Sequence, residues 1–190
     1  MDLAERRGLE TAVYEPAEDS ELLATVACER IDGDQSILEV GTGSGYVAER
    51  IATETGARVV ASDLNPHACR QARERGLEAV RADLVSPFAD DTFDAVVFNP
   101  PYLPTDPDTE WDDWMEVALS GGESGREIID PFLETVGRVL APEGVVYLLV
   151  SSLTGVETVV ERASEAGFSA VALEDESFPF ETLTVLLLVP

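Results

Sequence analysis

The chain has 190 residues, 45% of them hydrophobic, and its 38 acidic side chains against 12 basic ones leave a formal net charge of −26. At that length and apolar content one core buries roughly 70% of the unfolded surface, which excludes a disordered acidic tail; two cysteines, Cys28 and Cys69, exclude a disulfide framework. A charged start without an apolar leader, the lack of any run of about 18 apolar residues, and the acidic balance disfavour secretion, a membrane span and stable nucleic-acid binding, so a soluble cytoplasmic domain over residues 1–190 is expected.

Residues 1–34 read as a helical lead-in, with an amphipathic helix from Asp19 to Ile31. Ser36 to Gly41 is then a short buried strand running into a glycine-rich turn, and Ser44 to Thr55 a helix closed by Gly56. Arg58 to Asp63 is the second strand. Asn65 as N-cap and Pro66 at the first helical position open the next helix, which ends at Gly76. Leu77 to Ala82 and Phe93 to Phe98 are the third and fourth strands. Ser124 with Glu127, and Thr154 with Glu157, have the spacing of capping boxes. They predict one helix running to Leu140 and another stopping at Gly167, with a strand from Gly144 to Val150 between them. Ser169 to Leu173 and Glu181 to Val189 close the chain as two strands with no helix between. The alternation predicts an α/β fold: a mostly parallel seven-stranded sheet, its last strand antiparallel, with helices on both faces.

Ligands of such sheets bind at the carboxyl ends of the strands. Four segments end there. The first, Glu39-Val40-Gly41-Thr42-Gly43-Ser44-Gly45, lets the backbone turn tightly and lets a ligand approach without meeting a Cβ. A dinucleotide fingerprint would need its third glycine at Tyr46, so a nicotinamide-dependent oxidoreductase is disfavoured. Asp63, about 20 residues on, is placed to accept hydrogen bonds from ribose hydroxyls, and Asp83 from an adenine amino group. Together these acids predict an adenosine-containing ligand.

Asn99-Pro100-Pro101-Tyr102 follows the fourth strand directly. Two prolines alone would only end the ladder. The flanking residues add chemistry: the Asn99 side-chain carbonyl and the Pro100 backbone carbonyl can both accept from one NH2 group, and Tyr102 offers a flat wall. The segment is suited to a planar amide or aromatic amine. Elsewhere the residues read plainly. Cys28 and Cys69 are expected as small buried hydrophobes and His67 as a surface residue. The acidic stretch 105–113, with Trp111 and Trp114, reads either as a loop anchored on the core or as a lid over the substrate.

These features resemble the class I S-adenosylmethionine-dependent methyltransferases that act on planar amino groups. The opening Val13-Tyr14-Glu15-Pro16-Ala17-Glu18-Asp19-Ser20, with Gly121-Gly122 and Gly125-Arg126-Glu127, is similar to the HemK family of protein-glutamine methyltransferases. The short stretch before Ser36 matches the archaeal and eukaryotic form, without the extra N-terminal domain of the bacterial one. The resemblance implies S-adenosyl-L-methionine as donor, S-adenosyl-L-homocysteine as product, and the Gly-Gly-Gln glutamine of a class 1 translation release factor as substrate. It implies that Glu39 and Gly41 hold the methionine end, Asp63 the ribose and Asp83 with Leu84 the adenine, and that Gly43 and Ser20 also belong to the cofactor pocket. Asn99, Pro100, Pro101 and Tyr102 would hold the glutamine, with Asn99 also beside the donor. No resident metal is implied. A small zinc-binding activator subunit is, docked on a free sheet edge for which the third strand is the candidate. The rival reading is an adenine or cytosine N-methyltransferase acting on RNA or DNA, since an exocyclic amine fits the same grip.

Every basic residue is arginine. A surface this acidic repels itself in dilute buffer, whereas at about 1 M salt the Debye length is about 3 Å and the repulsion is screened. Adaptation to a saline cytoplasm is therefore expected. The protein should melt at a higher temperature in multimolar salt than in low salt, followed by circular dichroism; equal melting temperatures would remove this reading.

Overall fold

A computed structural model describes residues 13–105 and 114–190. The chain begins with α1 (Glu18–Cys28), followed by β1 (Ser36–Val40), α2 (Tyr46–Thr55), β2 (Arg58–Asp63), α3 (Pro66–Glu74), β3 (Glu78–Arg81) and β4 (Phe93–Phe98). After the undescribed segment come α4 (Trp114–Leu119), α5 (Ile129–Val136), β5 (Leu140–Ser151), α6 (Val156–Glu165), β6 (Ser169–Ser177) and β7 (Thr182–Val189). The strands form one sheet in the order β3-β2-β1-β4-β5-β7-β6. β7 runs antiparallel to both neighbours, and the other described pairings are parallel, as the alternation predicts.

Side chains alternate between the two faces, so the central strands need cover on both. Ile37, Ala95, Val97 and Leu149 face one layer, where they meet Leu23 and Ala27 of α1 and Ile51 of α2. Leu38, Val96, Phe98 and Leu148 face the other, against Phe132 and Val136 of α5 and Val159 of α6. Chain order reverses between β1 and β4, and that crevice is where the rim segments converge.

Local signals held where they were short-range. The Asn65 side chain accepts from the His67 N–H at 2.9 Å, with Pro66 opening α3 as expected. Neither capping box forms. α5 starts at Ile129, beyond Ser124 and Glu127, and neither it nor α6 has a side-chain cap. Ser124 instead accepts from the Arg126 N–H, Glu127 folds back to the Glu123 N–H, and the Thr154 hydroxyl donates to the Ser151 carbonyl. The predicted helix to Leu140 stops at Val136, passes through a 3₁₀ turn over Gly137–Val139, and gives way to β5 at Leu140 itself. The lead-in helix is shorter than expected, ending at Cys28, whose thiol is half-buried while Cys69 is buried. β6 runs on to Ser177, past its predicted end. The short helix α4 had no sequence signal that was read, and Trp111 with the rest of residues 106–113 lies outside the described residues.

β3 is one edge of the sheet, as predicted; β6 is the other. Among the described residues no helix is long and apolar enough to cross a membrane. Phe132 is fully buried with its ring centroid 4.5 Å from that of Phe98. Phe132→Ala should cost about 3–5 kcal/mol of stability by removing that packing, read as a lower denaturation midpoint at unchanged salt.

Candidate active site

A cavity of about 330 Å³ opens at the carboxyl rim, within the range of small-molecule sites. Every site residue singled out in the sequence lines it: Ser20, Glu39, Gly41, Gly43, Asp63, Asp83, Leu84, and Asn99 through Tyr102. His67 is exposed on α3 and is not part of the wall.

The β1 turn is built by glycine. Gly41 has a φ of +66°, and a Cβ there would sit 3.3 Å from the Phe98 ring, so both the conformation and the contact need hydrogen at that position. Asp63 fixes the turn from the next strand. Its Oδ2 accepts from the Gly43 N–H at 2.9 Å and its Oδ1 from the Asn65 N–H at 2.8 Å. Burial pushes its carboxyl up, with these backbone donors working the other way. Asp83 lies exposed at the rim, and Leu84 beside it has a φ of +48°.

Glu39 is a buried acid of the site. Burial pushes its carboxyl up to about 8, against hydrogen bonds from the Thr42 hydroxyl and the Ala48 backbone. An enclosed carboxyl of this kind regains its charge when a cation enters beside it. The amino-acid end and sulfonium of S-adenosylmethionine supply such charge, and a glycine turn beside paired acids leaves space for an adenosine. The residues present therefore fit that donor.

Asp19, quoted within the opening motif but given no role from the sequence, is the hub of the opposite wall. It is 4% exposed. Its Oδ2 accepts from Asn99 Nδ2 at 3.0 Å and from the Tyr14 hydroxyl at 3.0 Å, with the Tyr102 hydroxyl at 3.5 Å. Its Oδ1 accepts from the Ser20 N–H at 2.6 Å. Burial, reinforced by this carboxylate, holds the Tyr14 and Tyr102 hydroxyls well above the ordinary phenol range. Asn99 Oδ1 is buried and has no hydrogen-bond partner. The Val13–Ser20 motif pointed to this region; an aspartate beside a tyrosine at a helix start was the available signal. Trp114 and Val117 of α4 complete the mouth.

Known proteins share this architecture. Residues 37–122 match the model of a methyltransferase domain. A Methanocaldococcus jannaschii protein provisionally named protein N5-glutamine methyltransferase is 37% identical over 184 residues, covering 94% of this chain and 92% of that one. Human methyltransferase HEMK2 is 34% identical over 194 residues, covering 95% and 91%. A chain of the E. cuniculi Mtq2–Trm112 complex, described as responsible for methylation of the eRF1 translation termination factor, superposes with a TM-score of 0.78. It is 32% identical and the match covers 94% of this chain and 99% of that one. Fold, rim and likeness together define a class I S-adenosylmethionine-dependent methyltransferase. Identity at this level over nearly the whole length of the short relatives goes further: the chain belongs to the HemK family of protein-glutamine N5-methyltransferases.

The Glu39 shift has consequences for pH. With its folded value near 8 and its ordinary value at 4.5, the native state keeps a proton that the unfolded chain releases, so this residue's contribution to stability falls as pH rises through that window. Binding of a cationic donor favours the ionised form and must expel the proton below about pH 8. Donor affinity should thus rise from about pH 6 towards that value, with proton release seen by calorimetry in buffers of different ionisation enthalpy. Glu39→Gln should bind more weakly and lose that release; proton release undiminished in the variant would contradict it.

Proposed function

We propose that this chain transfers a methyl group from S-adenosyl-L-methionine to the side-chain nitrogen of a glutamine in a class 1 translation release factor, leaving S-adenosyl-L-homocysteine. The observation that carries the reading is the Asn99 amide, its NH2 held by Asp19 and its oxygen enclosed without a donor at the cavity wall. The donor, when bound, supplies an electrophilic methyl group: a C–N bond forms as the C–S bond breaks, the sulfonium becomes a neutral thioether, and the nitrogen sheds a proton to water. Asn99 orients the substrate NH2, and the Pro100 carbonyl offers it a second acceptor. Tyr102 holds the amide plane. Amide nitrogen is a poor nucleophile because its lone pair is delocalised into the carbonyl. Fixing it in line with the methyl group can supply roughly 7–11 kcal/mol. A strong base is unnecessary, since methylation itself acidifies the nitrogen.

The Mtq2 complex favours a release-factor substrate and a small activator subunit. In this reading the activator is a zinc-binding protein that adds a strand to the free edge of β3, where Val80 is exposed. A translation-factor substrate puts the reaction in the cytoplasm. The described part of the lead-in, residues 13–34, acts as part of the same domain, since α1 carries Asp19 and Ser20 into the cavity wall.

The test is purified protein, with and without the activator subunit, incubated with methyl-labelled donor and release factor, RNA or DNA in high salt. Label should appear on release-factor glutamine and fall by at least about 100-fold in Asn99→Ala, where an oriented acceptor is lost. Label on nucleic acid alone would replace this reading with the rival one.

A further inference from the structure

The donors around Asp19 all point one way. A carboxylate can only accept, so the amide of Asn99 has a single orientation available: NH2 towards Asp19 and Oδ1 away from it. The Tyr14 hydroxyl likewise spends its one proton on Asp19, and the Tyr102 hydroxyl approaches the same oxygen. The Tyr14 hydroxyl is then left with lone pairs for whatever enters, and Asn99 turns its Oδ1 away from Asp19. The Asn99 oxygen shows the result directly, since it is enclosed, shielded from water and unpaired. Leaving a buried acceptor unmatched is unfavourable, and a ligand bringing its own donor relieves it.

We propose that Asp19 is a positioning residue that fixes the Asn99 amide with its oxygen, rather than its NH2, turned towards the substrate, so that the site takes a primary carboxamide and refuses the corresponding carboxylate. The inference rests on the methyl-acceptor reading above and deepens it. A glutamine side chain brings an NH2 with two protons to the wall. A glutamate of nearly the same shape brings none, and sets its negative charge against the lone pairs of the enclosed Asn99 oxygen, a mismatch that sites built to hydrogen-bond an NH2 penalise by several orders of magnitude.

The geometry also says what a change at this position does. In Asp19→Asn the new Oδ1 must stay on the Ser20 N–H, which the native Oδ1 meets at 2.6 Å, so the new NH2 occupies the place of Oδ2 and donates to Asn99. Asn99 then turns over and presents its NH2 to the cavity. Exchanging the pair, in Asp19→Asn with Asn99→Asp, restores an acceptor: residue 99 receives the proton from residue 19 on one oxygen and offers the other to the substrate.

Methyl transfer to a glutamine-bearing release-factor peptide, with the activator present, should fall by at least about 100-fold in kcat for Asp19→Asn and for Asn99→Asp, and the double exchange should recover at least about ten-fold over either single change. Affinity for S-adenosyl-L-homocysteine by calorimetry should stay within about two-fold in Asp19→Asn, which separates lost orientation from a lost fold or donor pocket. The glutamate counterpart of the peptide should fail to compete for the wild-type site and should compete in Asp19→Asn. A double exchange no better than the single ones, or a wild-type site that binds both peptides alike, overturns the role of Asp19. Wild-type protein that moves no methyl group to glutamine overturns the parent reading as well; an active wild type without rescue overturns this inference alone.

Discussion

The parallel register of β1 on β4 is the constraint from which the site follows. Val40 lies opposite Phe98, so the chain leaves the sheet at Gly41 and at Asn99 from neighbouring positions on one rim. The approach is close enough that a single methyl group on Gly41 would crowd the Phe98 ring, and that ring is itself held by Phe132 from the helix layer. On the other side Val40 lies opposite Ser62, which brings Asp63 to the Gly43 N–H. Donor side and acceptor side are therefore spaced by backbone ladders and a packed aromatic pair. That rigidity is what positioning catalysis requires, because misplacement by about 1 Å can cost 100-fold.

Charge around the cavity divides into two kinds of work. In the proposed reading Glu39, Asp63 and Asp83, which line the cavity, lie on the donor side, where a sulfonium is bound before reaction and is neutral after it. Interactions that stabilise that cation in the ground state do not accelerate the transfer, because positive charge leaves sulfur as the bond breaks. Burial that keeps Glu39 partly protonated near neutral pH limits this ground-state holding. On the acceptor side the sign is reversed: positive charge grows on nitrogen, and the lone pairs of Asn99 strengthen their hold as it does. The acceptor wall is thus the part of the site that distinguishes transition state from substrate.

Much of this was legible in the residues. β2 and β4 carry the bounds read from their valine-rich runs, and the donor-side acids fall on successive strand ends as the topology requires. Asn65 and Pro66 open α3 because that signal is complete within three residues. The failures share a cause. Ser124 and Thr154 have capping-box spacing, yet their oxygens find nearer partners in tight turns, and the helices begin further on under the pull of Ile129, Phe132 and Val159 into the core. Asp19 was hidden for a different reason. Its meaning lies in a hydrogen bond to Asn99, eighty positions away, and no local pattern reports which donors a tertiary fold will deliver to a carboxylate.

The grip alone does not choose between a carboxamide and a nucleobase amine, because both present a planar NH2. The surroundings do. A nucleic-acid substrate arrives with phosphates, and phosphate contacts supply most of the affinity of such complexes. Among the described residues none that lines the cavity is cationic; Arg30, Arg50, Arg58, Arg75, Arg138 and Arg162 are each engaged by an acid of this chain, while Arg73, Arg81 and Arg126 donate to backbone carbonyls. The mouth is instead apolar, with Trp114, Val117 and Leu119 of α4 beside Tyr102. An aliphatic side-chain stem ending in an amide can slide along such a wall at little desolvation cost, whereas the phosphate of a flipped nucleotide would find no cation among the lining residues. In the proposed reading the chemistry of the wall selects the nitrogen, and the chemistry of the mouth selects the chain that carries it.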